Sequence, residues 1–87
     1  MNKIFTDNAW QDYLWLLKNN KRGLKRVNGL LKDISRSPFS GIGKPERLHG
    51  DLTGYWSRRV NEKDRLIYGV DGKAVTILAC RTHYSEK

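Results

Sequence analysis

Lys73-Ala-Val-Thr-Ile-Leu-Ala-Cys-Arg-Thr-His-Tyr84 is the stretch that decides the fold, an apolar, β-rich run that ends in Arg81, His83 and Tyr84. Valine, isoleucine and threonine suit a pleated, half-buried surface, and Asp71-Gly72 just upstream is a hairpin signal joining this run to Arg65-Leu-Ile-Tyr-Gly-Val70. A core strand is therefore expected to deliver polar groups at its C-terminal end. Its register has two solutions. A two-residue Asp71-Gly72 turn pairs Val70 with Lys73 and Arg65 with Leu78, and turns His83 away from Arg65. A three-residue loop, Val70 to Gly72, with a G1 bulge pairs Arg65 with Ile77 and puts Arg65 and His83 on one face. Both are open from sequence, and the second is favoured.

Working back toward the N-terminus, Tyr55-Trp-Ser-Arg-Arg-Val60 reads as a strand and Asn61-Glu62-Lys63-Asp64 as a turn. A three-residue loop, Asn61 to Lys63, sets Val60 opposite Asp64 and Arg59 opposite Arg65. Like charges directly opposed are unfavourable in a sheet, so this pairing points to an anion held between two guanidinium groups. Upstream, Leu48 to Gly54 is a connector, and Phe39 to Leu48 is a loop rich in glycine that carries Lys44, Glu46 and Arg47. The spacing of a phosphate-binding Walker loop is absent. Loops on a rigid scaffold are where catalytic groups concentrate, although Glu46 by spacing alone is an ordinary surface carboxylate.

Two helices are expected before that loop. Lys3 to Phe5 suits a short strand, and Thr6 is an N-cap followed by Asp7 in the first turn. Trp10, Tyr13, Leu14 and Leu17 then recur at helical spacing as one apolar stripe, with Asn8, Gln11, Asp12 and Lys18 elsewhere, and Trp10 and Tyr13 read as core. Asn19-Asn20 breaks the pattern, and a second helix from Lys21 to Arg36 buries Leu24, Val27, Leu31 and Ile34. Its outer face carries Lys21, Arg22, Lys25, Arg26 and Lys32, and reads equally as a solvated face or a track for phosphates. Ser37-Pro38 ends it.

The 87 residues predict a single domain, 1–87, near the lower size limit for an unstapled core. One cysteine, Cys80, allows no intramolecular disulfide and reads as a small buried hydrophobe, which suits a reducing cytoplasm. No run resembles a signal peptide or a membrane span, so a cytoplasmic protein without a membrane partner is expected. The formal charge of +8 attracts polyanions, making nucleic acid, the ribosome or an acidic protein the expected partner.

One loop carboxylate, two strand arginines and a histidine beside a tyrosine are the parts needed to cleave RNA with no metal and no cofactor. A base takes the ribose 2′-hydroxyl proton, cations stabilise the phosphate, and an acid protonates the departing 5′-oxygen. One Cys and two His are too few for a structural zinc site, and no serine or cysteine sits in a nucleophile motif.

Gly43-Lys-Pro-Glu46-x-Leu48, Leu52-x-Gly54-x-Trp56-Ser-Arg-Arg59, Arg65-Leu-x-Tyr68 and Cys80-Arg-x-His83-Tyr84 resemble the YoeB/Txe branch of the RelE/ParE toxin superfamily, over a span from Trp10 to Tyr84. The resemblance implies an α+β fold of the microbial ribonuclease type, with two N-terminal helices packed on an antiparallel sheet. It also implies an mRNA interferase of a type II toxin–antitoxin system, acting on mRNA in the A site of the 70S ribosome. A cognate acidic antitoxin of the YefM/Axe kind would silence it, a homodimer is possible, and operator DNA would be bound only through the antitoxin complex.

Carried over by position, Glu46 resembles the general base and His83 the general acid. Arg65 resembles the phosphate-stabilising residue, and Tyr84 the group that orients the scissile nucleotide. Arg59, Lys44 and His49 fall among the substrate contacts, and Trp56 reads as a core anchor. His49 stands where relatives tend to have lysine, which makes a positive charge near the phosphate weaker or dependent on pH. Relatives also tend to stop at the His-Tyr pair, whereas Ser85-Glu86-Lys87 extend past it and are expected to fray. Two other readings compete. A gyrase-targeting toxin of the same superfamily lacks the set Glu46, Arg65, His83 and Tyr84, and a basic nucleic-acid-binding module without catalysis would need a recognition helix that is not evident.

Overall fold

Asn20 is the hinge of the helical half: its N–H closes the first helix on the Leu16 carbonyl, and its side chain caps the second by accepting from the Gly23 N–H. In the computed structural model, which describes residues 1–82, the chain runs β1 (Asn2–Phe5), α1 (Asp7–Asn19), α2 (Lys21–Arg36), β2 (Glu46–Arg47), β3 (Trp56–Arg59), β4 (Arg65–Asp71) and β5 (Ala74–Thr82). A single 3-10 turn, Gly50–Leu52, lies between β2 and β3. Thr6 caps α1 as expected, its hydroxyl accepting from the Ala9 N–H.

The strands form one sheet in the order β1-β5-β4-β3-β2, antiparallel throughout except that β1 lies parallel to β5. Both helices cover one face, where Leu16, Val27, Leu30, Ile34, Leu66 and Ile77 make the main core. The other face holds a smaller apolar cluster of Leu48, Ile67 and Ala79, flanked by Leu52, Tyr55 and Leu78. No helix among the described residues is long and apolar enough to cross a membrane.

The α2 face follows its periodicity, with Val27, Leu31 and Ile34 buried; Leu30 joins them while Leu24 is half-buried. The stripe expected on α1 is overturned. Trp10, Leu14 and Leu17 are exposed, and the face turned to the sheet carries Ala9, Asp12, Tyr13 and Leu16. A small residue lets the helix approach β5 closely, and Asp12 is tolerated there because its carboxylate accepts from the Cys80 N–H at 3.1 Å. Trp10 instead stacks on Tyr13, their centroids 5.7 Å apart, at the protein surface.

The β3–β4 turn is as expected, with Arg59 opposite Arg65 and the Val60 N–H donating to the Asp64 carbonyl. The Asn61 carboxamide accepts from the N–H groups of Lys63 and Asp64, which fixes that turn locally. The β4–β5 hairpin takes neither expected register. Asp71 pairs with Ala74, so the loop is Gly72-Lys73, and Gly72 at φ +60° supplies the first position of a type II′ turn. Farther along, β5 gains a residue between the pairs Tyr68–Ile77 and Ile67–Ala79, and another before Arg65 meets Thr82. Arg65 therefore pairs with Thr82, not with Leu78 or Ile77. Which face His83 takes lies outside the described residues.

Candidate active site

A charge on the core side of β3 organises the loop before β2. Trp56, Arg58 and Val60 share the face turned to the helices, and Arg58 is fully buried there. Its guanidinium has five N–H donors. Nε donates to the Tyr68 hydroxyl at 3.1 Å, Nη1 to Asp33 at 2.6 Å and to the Ile42 carbonyl at 3.1 Å, and Nη2 to the carbonyls of Ser37 and Ser40 at 2.6 and 2.8 Å. The Tyr68 hydroxyl in turn donates to the Pro38 carbonyl at 2.7 Å. One side chain thus fastens the loop after α2 to α2 and to the middle of the sheet. The Arg58 hydrogen bond and the Ile42 N–H hold the Asp33 carboxyl below its ordinary pKa, while burial raises that of Tyr68.

The fastened loop hands over to β2 in a fixed position. Gly43, at φ +82°, lies where an added Cβ would meet Leu30 and Arg58, and its carbonyl accepts from the Arg59 N–H at 2.7 Å. Lys44 follows with φ +52°, a left-handed conformation uncommon outside glycine. Glu46, expected in a loop, then pairs with Ser57 and Arg47 with Trp56 on the sheet edge. The Arg47 guanidinium lies 5.6 Å from the centroid of the Trp56 ring, against which Phe39 also packs. Trp56, half-buried on the main core, is the anchor expected of it.

Glu46, Ser57, Arg59 and Arg65 occupy the sheet face away from the helices. Arg65 Nη1 donates to Glu46 Oε1 at 3.1 Å and reaches Ser57 Oγ at 3.4 Å. The Glu46 side chain is 61 % exposed and that of Arg65 23 %, so this pair meets solvent. Arg59, directly opposite Arg65, is exposed. A carboxylate in contact with one arginine, which itself faces a second across the strand pair, can act as a proton acceptor beside phosphate-binding cations.

Of the residues singled out from sequence, the structure therefore brings together Glu46, Arg65 and Arg59. Lys44 stands exposed in the loop entering β2, and His49 is exposed at the start of the 3-10 turn that follows it. His83 and Tyr84 lie outside the described residues. Among the described residues no three His, Cys, Asp or Glu side chains are grouped so as to hold a metal ion. Cys80 is buried, and desolvation, with Asp12 and Asp64 nearby, pushes its thiol up to about 12, so it stays protonated at neutral pH. Sequence reasoning missed Arg58 and Ser57. The signal for Arg58 was its place between Trp56 and Val60 on an apolar face, where a charge must be paired.

The family model of the YoeB-like toxin of bacterial type II toxin–antitoxin systems matches residues 5–84 of this chain. Toxin YoeB of Synechocystis is 51 % identical over 84 residues, an alignment spanning 97 % of this chain and 98 % of that protein. Among solved structures, a heterotetrameric YoeB–YefM toxin–antitoxin complex from Staphylococcus aureus superposes with a TM-score of 0.90 at 45 % identity. A YoeB dimer from the same organism gives 0.92 at 45 %, and in each case 97 % of this chain and 98 % of the other are covered.

Proposed function

Because the chain belongs to the YoeB-like toxins of bacterial type II toxin–antitoxin systems, we propose that it is a ribosome-dependent endoribonuclease that cleaves mRNA in the A site and so halts translation. The observation that carries the proposal is the exposed Glu46–Arg65 pair with Arg59 directly across the strand. In the resting protein Arg65 holds the carboxylate. A phosphodiester entering the face competes for the same guanidinium, draws Arg65 to its oxygens and leaves Glu46 beside the neighbouring ribose.

Glu46 then takes the 2′-hydroxyl proton, the 2′-oxygen bonds to phosphorus, and the bond from phosphorus to the 5′-oxygen breaks as His83 protonates that oxygen. Arg65 and Arg59 balance the charge that grows on the phosphate. Tyr84 orients the scissile nucleotide, and Lys44 and His49 contact the RNA backbone. No metal takes part in this scheme. The products are a 2′,3′-cyclic phosphate upstream and a 5′-hydroxyl downstream.

A YefM-like acidic antitoxin is the proposed silencing partner, covering Arg59 and Arg65, and a pair of toxin chains is the proposed assembly, as the Staphylococcus aureus complex and dimer suggest. With a formal charge of +8, association with an acidic segment should slow as salt is added. The test of the nuclease reading is ribosome-bound mRNA incubated with purified protein and analysed for end groups. The proposal expects new 5′-hydroxyl ends in the A-site codon; intact mRNA, or ends bearing a 5′-phosphate, would overturn it.

A further inference from the structure

β1 ends at Phe5, opposite Ile77, and beyond that point β5, which carries its two added residues there, meets α1 and its N-cap. The Leu78 carbonyl accepts from Thr6 Oγ1 at 3.1 Å and from Asn8 Nδ2 at 3.3 Å, and the Cys80 N–H donates to Asp12 Oδ2 at 3.1 Å. One residue farther on, the Arg81 guanidinium lies 3.5 Å from the centroid of the Trp15 ring. Asn8, Asp12 and Trp15 stand at i, i+4 and i+7, the spacing of one helical stripe. From sequence Asn8 and Asp12 were placed only off the apolar stripe, and Trp15 was not singled out. The stripe of Asn8, Asp12 and Trp15 runs along β5, contacting Leu78, Cys80 and Arg81.

Core packing alone does not ask for such contacts. The apolar work of α1 is done by Ala9, Tyr13 and Leu16 on the neighbouring stripe. A bulge beside an active site typically re-aims the residues after it, and here each irregular step of the strand has a side-chain partner on the helix. We propose that Asp12 and Trp15 are positioning residues: by holding β5 at Cys80 and Arg81 they fix the strand end from which His83 and Tyr84 depart. The inference rests on the nuclease reading above, because it concerns the delivery of the proposed acid. Neither Asp12 nor Trp15 touches substrate in this account.

The experiment compares wild type with Trp15→Leu, Asp12→Ala, the conservative variants Trp15→Phe and Asp12→Asn, and Trp10→Leu. The last removes another exposed tryptophan of α1, one that stacks on Tyr13. Cleavage of ribosome-bound mRNA is resolved into kcat and KM, and a thermal melt is recorded for each protein. Trp15→Leu and Asp12→Ala should lose about 10- to 100-fold in kcat with KM near the wild-type value, as expected when a reacting group is displaced by an ångström or so. Trp15→Phe and Asp12→Asn should recover most of it, since a ring face and a carbonyl acceptor are restored. Trp10→Leu should keep the wild-type kcat.

A variant that melts early is read through amide hydrogen exchange below its transition, where faster exchange confined to Cys80 through Thr82 supports the inference and an even rise across the sheet contradicts it. Wild-type kcat in both Trp15→Leu and Asp12→Ala would overturn the inference alone. A wild-type protein that leaves the mRNA whole would instead overturn the function from which it starts.

Discussion

Arg58 and Arg65 each pair with a carboxylate through Nη1, at 2.6 Å from Asp33 and 3.1 Å from Glu46, but they stand on opposite faces of the sheet in opposite surroundings. Arg58 is fully buried and spends every N–H on the protein: a carboxylate, a phenol and three loop carbonyls. Arg65 is partly exposed and, among the described residues, is bonded through Nη1 alone. The first pair has nothing left to offer a ligand. The second, among the described residues, has donors to spare and a partner that an anion can displace. Ion pairing alone therefore does not mark a site; what marks it is the hydrogen-bonding capacity left over after folding.

The comparison is broken most sharply by exchanging activity for stability. Glu46→Gln should lower the rate of mRNA cleavage by roughly 10²–10⁴-fold, the usual contribution of a general base, with a circular dichroism spectrum like that of wild type. Folded Glu46→Gln protein that cuts at the wild-type rate would remove the carboxylate from the chemistry.

Arg58→Met should act in the other direction, costing about 3 kcal/mol of stability, because the Tyr68 hydroxyl, three loop carbonyls and the partly exposed Asp33 carboxylate are left without their donor. For a domain of this size that lowers the melting temperature by roughly 12–24 °C. A melting temperature within a few degrees of wild type would show that the network does not hold the loop. Any loss of cleavage in this variant should come with a loosened loop, seen as faster amide exchange at Ile42 and Arg59.

Acid titration separates the two pairs next. Asp33 has a folded pKa below its ordinary 3.8, so folded protein binds this proton less readily than unfolded chain. Its contribution is complete above that ordinary value and is lost as pH falls through the lower folded one. Denaturation midpoints measured downward from pH 5 should therefore fall more steeply in wild type than in Asp33→Asn; parallel curves would contradict the assignment. The smallest effect belongs to the exposed pair: a double-mutant cycle of Glu46→Gln with Arg65→Met should give a coupling in stability of no more than about 1 kcal/mol, as solvent-facing pairs do. A larger coupling would make this pair structural after all.

What could be read from sequence follows the same division between exposed and buried groups. The placement of Arg59 opposite Arg65 was legible by counting across a three-residue turn, whereas Glu46, by spacing alone an ordinary surface carboxylate, was singled out through the family resemblance. Asp12 was hidden because helical periodicity ranks residues by hydrophobicity and cannot see a carboxylate that faces inward to receive the Cys80 N–H. The β4–β5 register was missed twice: the turn is Gly72-Lys73, one residue beyond the Asp71-Gly72 signal, and counting from any turn assumes an uninterrupted ladder, whereas β5 carries two irregular steps before Arg65 meets Thr82. The β1 strand was visible, but not its parallel pairing with β5, which depends on how α1 folds back over the sheet.

The central claim is that the exposed pair serves attack by a ribose hydroxyl on its own phosphate, and one substrate tests it directly. An mRNA carrying a single 2′-deoxy nucleotide immediately 5′ of the cleaved bond is placed in the A site of a programmed 70S ribosome and incubated with wild-type protein, beside the all-RNA message. The 2′-hydroxyl is the only group removed. The account predicts that the substituted message is bound about as well and stays whole at that bond while the all-RNA message is cut to a 5′-hydroxyl end; cleavage of the deoxy message at the same bond would show that the nucleophile comes from elsewhere and that Glu46 does not do what is proposed for it.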